Sequence, residues 1–170
     1  MKTLYLLRHA KAEPGAKDIS DPDRKLSVRG REACDLMGAY MKEKAYLPDL
    51  VLCSPSKRTT ETLERVVQTA GIRPASRREE ALYLATAEDI LRVIRTGDDS
   101  AASVMVIGHN PGMHHIALLL CEPQRSKLRA VLELKFPTCA FAALRFDCEG
   151  WAELGPAEGT LMDFVTPGDL

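Results

Sequence analysis

No stretch of this 170-residue chain is apolar over the roughly 20 residues that a membrane-spanning helix needs, so a membrane partner is not expected. It also lacks internal repeats, low-complexity segments and any recognisable linker, and residues 1–170 read as a single domain with a sizeable core. Its five cysteines are odd in number and contain no C-x-x-C pair, which excludes a disulfide framework or a zinc site of the usual spacing and leaves them as small core residues. A formal net charge of −1 argues against nucleic acid or an anionic membrane surface as partner. No cluster of carboxylates has the pattern of a two-metal centre. No G-x-S-x-G elbow surrounds Ser54 or Ser56, so helix capping is the better reading of both. Met1-Lys2 and the apolar residues after them mimic a signal peptide, but Arg8 ends the run too soon. The cytoplasm is the expected location.

What the chain does contain is an alternation of short apolar runs and longer segments of helical period. Strands are predicted at Thr3–Leu7, Leu50–Cys53, Ser103–Ile107, Ala140–Phe146 and around Trp151–Leu154, with a weaker one near Ala81–Leu82. Helices are predicted from Val28 to Lys44 behind the N-cap Ser27, from Ser56 to a closing Gly71, from Thr86 to Gly97, and after Pro111. The expected apolar stripes are Ala33, Leu36, Met37, Tyr40 and Met41 on the first helix, and Leu63, Val66, Val67 and Ala70 on the second. Alternation of this kind implies a three-layer α/β/α sandwich with right-handed crossovers and a mostly parallel sheet. The last two strand candidates follow each other closely enough to pair antiparallel, which would make the sheet mixed. Lys11 to Lys25 reads as a long polar loop over the end of the first strand, and the Gly- and Pro-rich stretch after Leu154 as a surface wrap.

Three polar sets fall where predicted strands end: Arg8-His9, Ser54 to Arg58, and Gly108-His109-Asn110-Pro111-Gly112. In an open α/β sheet ligands bind outside the carboxyl ends of the strands. Two imidazoles and two guanidiniums can therefore converge on one sheet edge, beside helix N-termini that favour anions. Phosphoryl transfer needs those types: cations to hold charged oxygens through the transition state, and a nucleophile for in-line attack. Arg8 and Arg58 suit the clamp, His109 an added hydrogen bond to the phosphoryl oxygens, and His9 the attack. No metal or cofactor is called for, because these groups supply the positive charge. Taken singly, each has a plainer explanation. Arg58 could be a solvated helix residue, His109 part of a capped turn, and His114 and His115 structural or surface residues, His114 able to face the pocket rim.

At these residues the chain resembles the histidine phosphatase superfamily, and within it the small SixA-type branch of phosphohistidine phosphatases. The matching segments are Leu7-Arg8-His9-Ala10-Lys11-Ala12, Asp21 to Gly30, Ser54 to Thr62, Leu82-Tyr83, Val106 to Gly112, Phe136-Pro137-Thr138 and Phe164 to Leu170. The resemblance implies a phosphoglycerate mutase-like fold, His9 as phospho-accepting nucleophile, and Arg8, Arg58 and His109 as the phosphate pocket. Ala10 stands where many superfamily members have Gly. The inserted region that carries a general acid in larger members is not evident, which leaves Asp21 and Glu80 as candidate proton donors. Arg24 and Asn110 are candidate substrate contacts, Asn110 also a candidate helix cap. The expected substrate is a phosphohistidine on a protein, whose leaving imidazole can be protonated before P–N cleavage. A small phosphorylated metabolite, or a catalytically silent phosphate- or phosphoprotein-binding module, are the alternatives. Intact Arg8, His9, Arg58 and His109 speak against the silent module.

Overall fold

The computed structural model describes all residues, 1–170. It contains one six-stranded sheet and five helices: β1 (Lys2–Arg8), α1 (Val28–Glu43), β2 (Leu50–Cys53), α2 (Lys57–Ala70), β3 (Ala75–Arg78), α3 (Ala87–Ile94), β4 (Ser103–Gly108), α4 (Gly112–Leu120), α5 (Lys127–Leu134), β5 (Phe141–Phe146) and β6 (Thr160–Val165). The sheet order is β3-β2-β4-β1-β5-β6. The four strands from β3 to β1 run parallel, whereas β5 is antiparallel to β1 and β6 is antiparallel to β5. The sheet is therefore mixed, as expected, with β6 as an unforeseen partner.

Side chains alternate across the sheet and build two cores. Leu4, Leu6, Leu52, Val104 and Val106 face α3, α4 and α5, together with Trp151 and Phe136. Tyr5, Leu7, Val51, Met105 and Ile107 face α1 and α2. This is the three-layer α/β/α arrangement, with both sheet faces covered.

Three N-caps are as read from the sequence, whereas Ser54, also read as a cap, bonds His109 instead. Ser27, Ser56 and Thr86 each accept a backbone N–H from the first turn of their helix, and Gly71 closes α2 in the left-handed region at φ 70°. The buried faces share Met37, Met41, Val66 and Ala70 with the apolar stripes and differ elsewhere. On α1 they are Gly30, Cys34, Met37, Gly38 and Met41, while Leu36 is exposed. On α2 they are Arg58, Thr59, Thr62, Val66 and Ala70. The cause is close packing of the two helices: a Cβ at Gly38 would lie 2.7 Å from the Val66 carbonyl oxygen. Small residues win that interface, and the polar Arg58 and Thr62 turn inward toward the sheet edge.

Four expectations are corrected. Trp151–Glu153 form a 3-10 turn, not a strand, because side chains take the backbone donors: Trp151 N–H bonds Asp99 at 2.8 Å and Gly150 N–H bonds Glu153 at 2.7 Å. Near Ala81 there is likewise a 3-10 turn, Glu80–Leu82, and the strand lies earlier, at Ala75–Arg78. All four residues of β3 are exposed, so no apolar signal marked it. The stretch after Leu154 supplies β6 instead of only wrapping the surface. Helix α5 was not foreseen, since Leu132 is its single buried residue.

Candidate active site

Strands β1, β2 and β4 end in register. Arg8 pairs with Gly108 and Cys53 with Ile107, and the amides of His9 and Ser54 continue the ladder to Gly108 and Ile107 at 3.1 and 3.0 Å. That register brings His9, Ser54 and His109 to one sheet edge. Arg58 reaches the same place from the first turn of α2.

His9 is only 9% exposed. Its Nδ1 lies 2.7 Å from the Ala10 carbonyl oxygen. A carbonyl can only accept, so Nδ1 carries the proton and Nε2 keeps a free lone pair. Ala10 is itself pinned, its N–H donating to Thr62 Oγ1 at 3.0 Å while that hydroxyl donates to the Arg58 carbonyl at 2.7 Å. Burial, together with the cations Arg58, Arg8 and Arg24, pushes the His9 pKa down to about 4, against a partial lift from the Ala10 carbonyl. The ring is neutral at neutral pH, the state a nucleophile needs.

The two rings stand 5.3 Å apart between centroids. His109 has the opposite tautomer. Arg58 Nη2 donates to its Nδ1 at 3.3 Å, so the proton sits on Nε2, which donates to Ser54 Oγ at 2.7 Å. Burial, then His9 and Arg58, lower the His109 pKa to about 3.

The guanidiniums complete the floor. Arg8 Nη1 donates to the Phe136 carbonyl at 3.1 Å, whereas its Nε–H is buried without any partner. Burial and then Arg58 lower its pKa, yet an arginine stays charged. The Arg58 side chain, 4% exposed, donates through Nη1 to the Asp21 carbonyl at 2.8 Å and through Nη2 to the Asp21 carboxylate at 3.0 Å.

Above the floor lies the loop between β1 and α1. Asp21, 42% exposed, accepts from Arg58, from Arg24 Nη1 at 3.0 Å and from the Tyr83 hydroxyl. Tyr83 also presents its ring edge-on to His109, 5.4 Å between centroids. Arg24 is anchored by the Glu13 carbonyl at 3.0 Å. A cavity of about 350 Å³ adjoins this network, lined by Glu13, Asp18, Asp23, Arg24, Lys25 and Lys57 among others.

The structure thus brings Arg8, His9, Arg58 and His109 together, with Asp21 and Arg24 at the mouth. It does not bring in two other candidates. Glu80 is exposed on the 3-10 turn and its side chain makes none of the hydrogen bonds that hold the cluster. Asn110 spends both ends of its amide inside the fold, donating to the Phe136 carbonyl at 2.8 Å and accepting the His114 N–H at 3.3 Å. Its side chain thereby ties the start of α4 to the Phe136 carbonyl that accepts from Arg8. His114 is structural too, its Nε2 2.6 Å from the Leu132 carbonyl. Sequence reasoning missed Ser54 as the partner of His109, though its place one residue past β2 put it beside the β4 end. It missed Tyr83 as a site residue as well, because no local pattern links residue 83 to residue 21.

Comparison with known proteins meets this geometry. Residues 4–82 match the sequence model of the histidine phosphatase superfamily, branch 1. An uncharacterized protein of Mycobacterium leprae is 30% identical over 165 residues, covering 95% of this chain and 99% of that protein. The chain belongs to the histidine phosphatase superfamily. Its fold is of the SixA type: a candidate phosphohistidine phosphatase SixA from Nakamurella multipartitia superposes with a TM-score of 0.85 at 28% identity, covering 98% of this chain and 96% of that one. Its counterpart from Agrobacterium tumefaciens gives 0.81 at 28% identity, with 98% of each chain covered. These likenesses support a phosphatase activity for this histidine phosphatase. No helix of the chain is long and apolar enough to cross a membrane.

Proposed function

We propose that this chain hydrolyses phosphohistidine carried on a protein, through a covalent phosphoryl intermediate on Nε2 of His9. The observation that carries the phosphatase half is the pairing of a neutral His9, its Nε2 free, with the partnerless buried Nε–H of Arg8. A buried donor without a partner costs about 1–3 kcal/mol, a cost that binding of an anionic oxygen would remove. In the proposed reaction Nε2 attacks phosphorus in line as the bond to the leaving group breaks. Arg8 and Arg58 hold the equatorial oxygens, whose charge they meet preorganised. Water then displaces His9 from phosphorus and releases inorganic phosphate. His109 is neutral before substrate arrives. A phosphoryl dianion beside the ring would favour its protonated, donating form.

Support for phosphohistidine over an alkyl phosphate comes from the mouth. The Tyr83 hydroxyl, then Arg24 and Arg58, hold the Asp21 carboxyl well below the usual carboxylate range. Asp21 is therefore ionised and has no proton to give a departing alkoxide, and Glu80 lies outside the cluster. A protonated imidazole needs none.

The test is a panel assay of a phosphohistidine-bearing protein against small phosphate esters, with His9→Ala as control and an alkaline denaturing quench to trap the phosphoenzyme. Expected is fastest turnover on the phosphohistidine protein, an acid-labile phosphoryl label on the wild type, and neither with His9→Ala. Wild-type turnover by His9→Ala would sink the mechanism, and a strong preference for an ester would sink the substrate.

A further inference from the structure

We propose that Asp21 selects the leaving group: its carboxylate accepts the distal N–H of a phosphorylated imidazole, and so favours substrates whose leaving group already carries a proton. The proposal rests on the phosphoryl-transfer reading above and adds a residue that discriminates among substrates.

In-line displacement puts the leaving group opposite the nucleophile. His9 lies on the buried floor, so the opposite side is the mouth, where Asp21 and Tyr83 stand. Asp21 is fixed there by the guanidiniums of Arg58 and Arg24 and by the Tyr83 hydroxyl. A carboxylate offers about four lone-pair positions. Oδ2 takes two of the three side-chain donors, Arg58 and Tyr83, and Oδ1 takes only Arg24. One position on Oδ1 is open, on a side chain 42% exposed.

The chemistry then balances without a proton donor on the enzyme. A phosphorylated imidazole protonated at its distal nitrogen carries a cationic ring beside its anionic phosphoryl group. As Nε2 of His9 bonds to phosphorus, the P–N bond breaks and its electron pair stays on the departing ring nitrogen. The ring leaves as neutral imidazole and keeps its distal proton, hydrogen-bonded to Asp21. Without that proton the leaving group would be imidazolate, a far poorer one. The carboxylate thus favours the reactive protonation state and opposes substrates that carry an anion at the same place. The sequence-based assignment of Asp21 as proton donor becomes its converse, an acceptor.

The test compares wild type, Asp21→Asn and Tyr83→Phe on two small substrates, phosphoimidazole and p-nitrophenyl phosphate. The readout is the ratio of their kcat/KM values. Asp21→Asn weakens the hold on Arg58 and slows both reactions, but the ratio should fall about tenfold or more, the worth of a hydrogen bond to a charged group. Tyr83→Phe keeps the carboxylate and should keep the ratio. An unchanged ratio in Asp21→Asn overturns the proposal and leaves Asp21 as a support for Arg58. A ratio lost in Tyr83→Phe but kept in Asp21→Asn overturns it in favour of the phenol. Wild type active on the ester alone overturns it with the phosphatase intact, whereas inactivity on both defeats the phosphoryl-transfer reading too.

Discussion

The floor and the mouth of the site hold their polar groups in different ways. On the floor, His9, Arg8 and His109 are oriented by groups of fully buried residues: the carbonyls of Ala10 and Phe136 and the hydroxyl of Ser54. At the mouth, Asp21, Arg24 and Tyr83 hold one another from a loop and a 3-10 turn, partly in water. Hydrogen bonds inside a low-dielectric floor are stronger and cost more to break than ion pairs at an exposed rim. The floor is therefore the place for the chemistry common to any phosphoryl substrate, and the mouth for discrimination among substrates.

Removing one cation from each region is the sharpest way to break this comparison. Arg8→Ala takes away a preorganised donor and should cost about 10²–10³ in kcat, as for loss of one charge-stabilising group in a closed site. Arg24→Ala removes a partly exposed ion pair with Asp21 and should cost about fivefold or less on p-nitrophenyl phosphate. Steady-state kinetics on that substrate checks both. Equal losses would erase the distinction between floor and mouth.

A smaller effect tests whether the floor works through orientation. Ser54→Ala leaves the buried Nε2–H of His109 without its acceptor, at a cost of about 1–3 kcal/mol. Because Ser54 acts through His109, kcat should fall about tenfold with little change in KM, and Ser54→Thr, which restores a hydroxyl, should recover most of it. A KM effect alone would place Ser54 in substrate binding instead.

Much of the floor was legible in the sequence; of the mouth, Asp21 and Arg24 were candidates and Tyr83 was not. Leu4 to Leu7, Leu50 to Cys53 and Ser103 to Ile107 are apolar runs of strand length, each followed by polar residues, so the convergence of Arg8, His9 and His109 followed from the alternation of strands and helices. The same sequence-local logic located the caps Ser27, Ser56 and Thr86. It failed where structure depends on partners far along the chain. Tyr83 meets Asp21 across 62 residues, and Ser54 meets His109 across 55. It failed also where burial is thin: β3 is exposed throughout, and α5 buries Leu132 alone. In α1 and α2 the apolar stripe was right at Met37, Met41, Val66 and Ala70 but missed the small and polar positions, since interhelical contact through Gly38 rewards small residues over large ones.

The last prediction uses acidity to separate the regions by stability. In the unfolded chain His9 and His109 take up protons near pH 6.5. Folded, burial delays this to about 4 for His9 and about 3 for His109. Between those values the unfolded state binds more protons, so stability rises with pH through the window and is complete above about 6.5. Acidification from pH 7 to 5 should therefore cost up to about 2 kcal/mol for each ring. Asp21 at the mouth contributes in the same direction but lower down, because its carboxyl is ionised in both states until the pH falls below the ordinary carboxylate range. Urea midpoints at pH 7 and pH 5 distinguish the two. The wild-type midpoint should drop, His9→Gln should show a smaller drop, and Asp21→Asn should drop as the wild type does. If His9→Gln matched the wild type, the His9 ring would be titrating as it does in water, and the floor would not be the dry, fixed place that the chemistry requires.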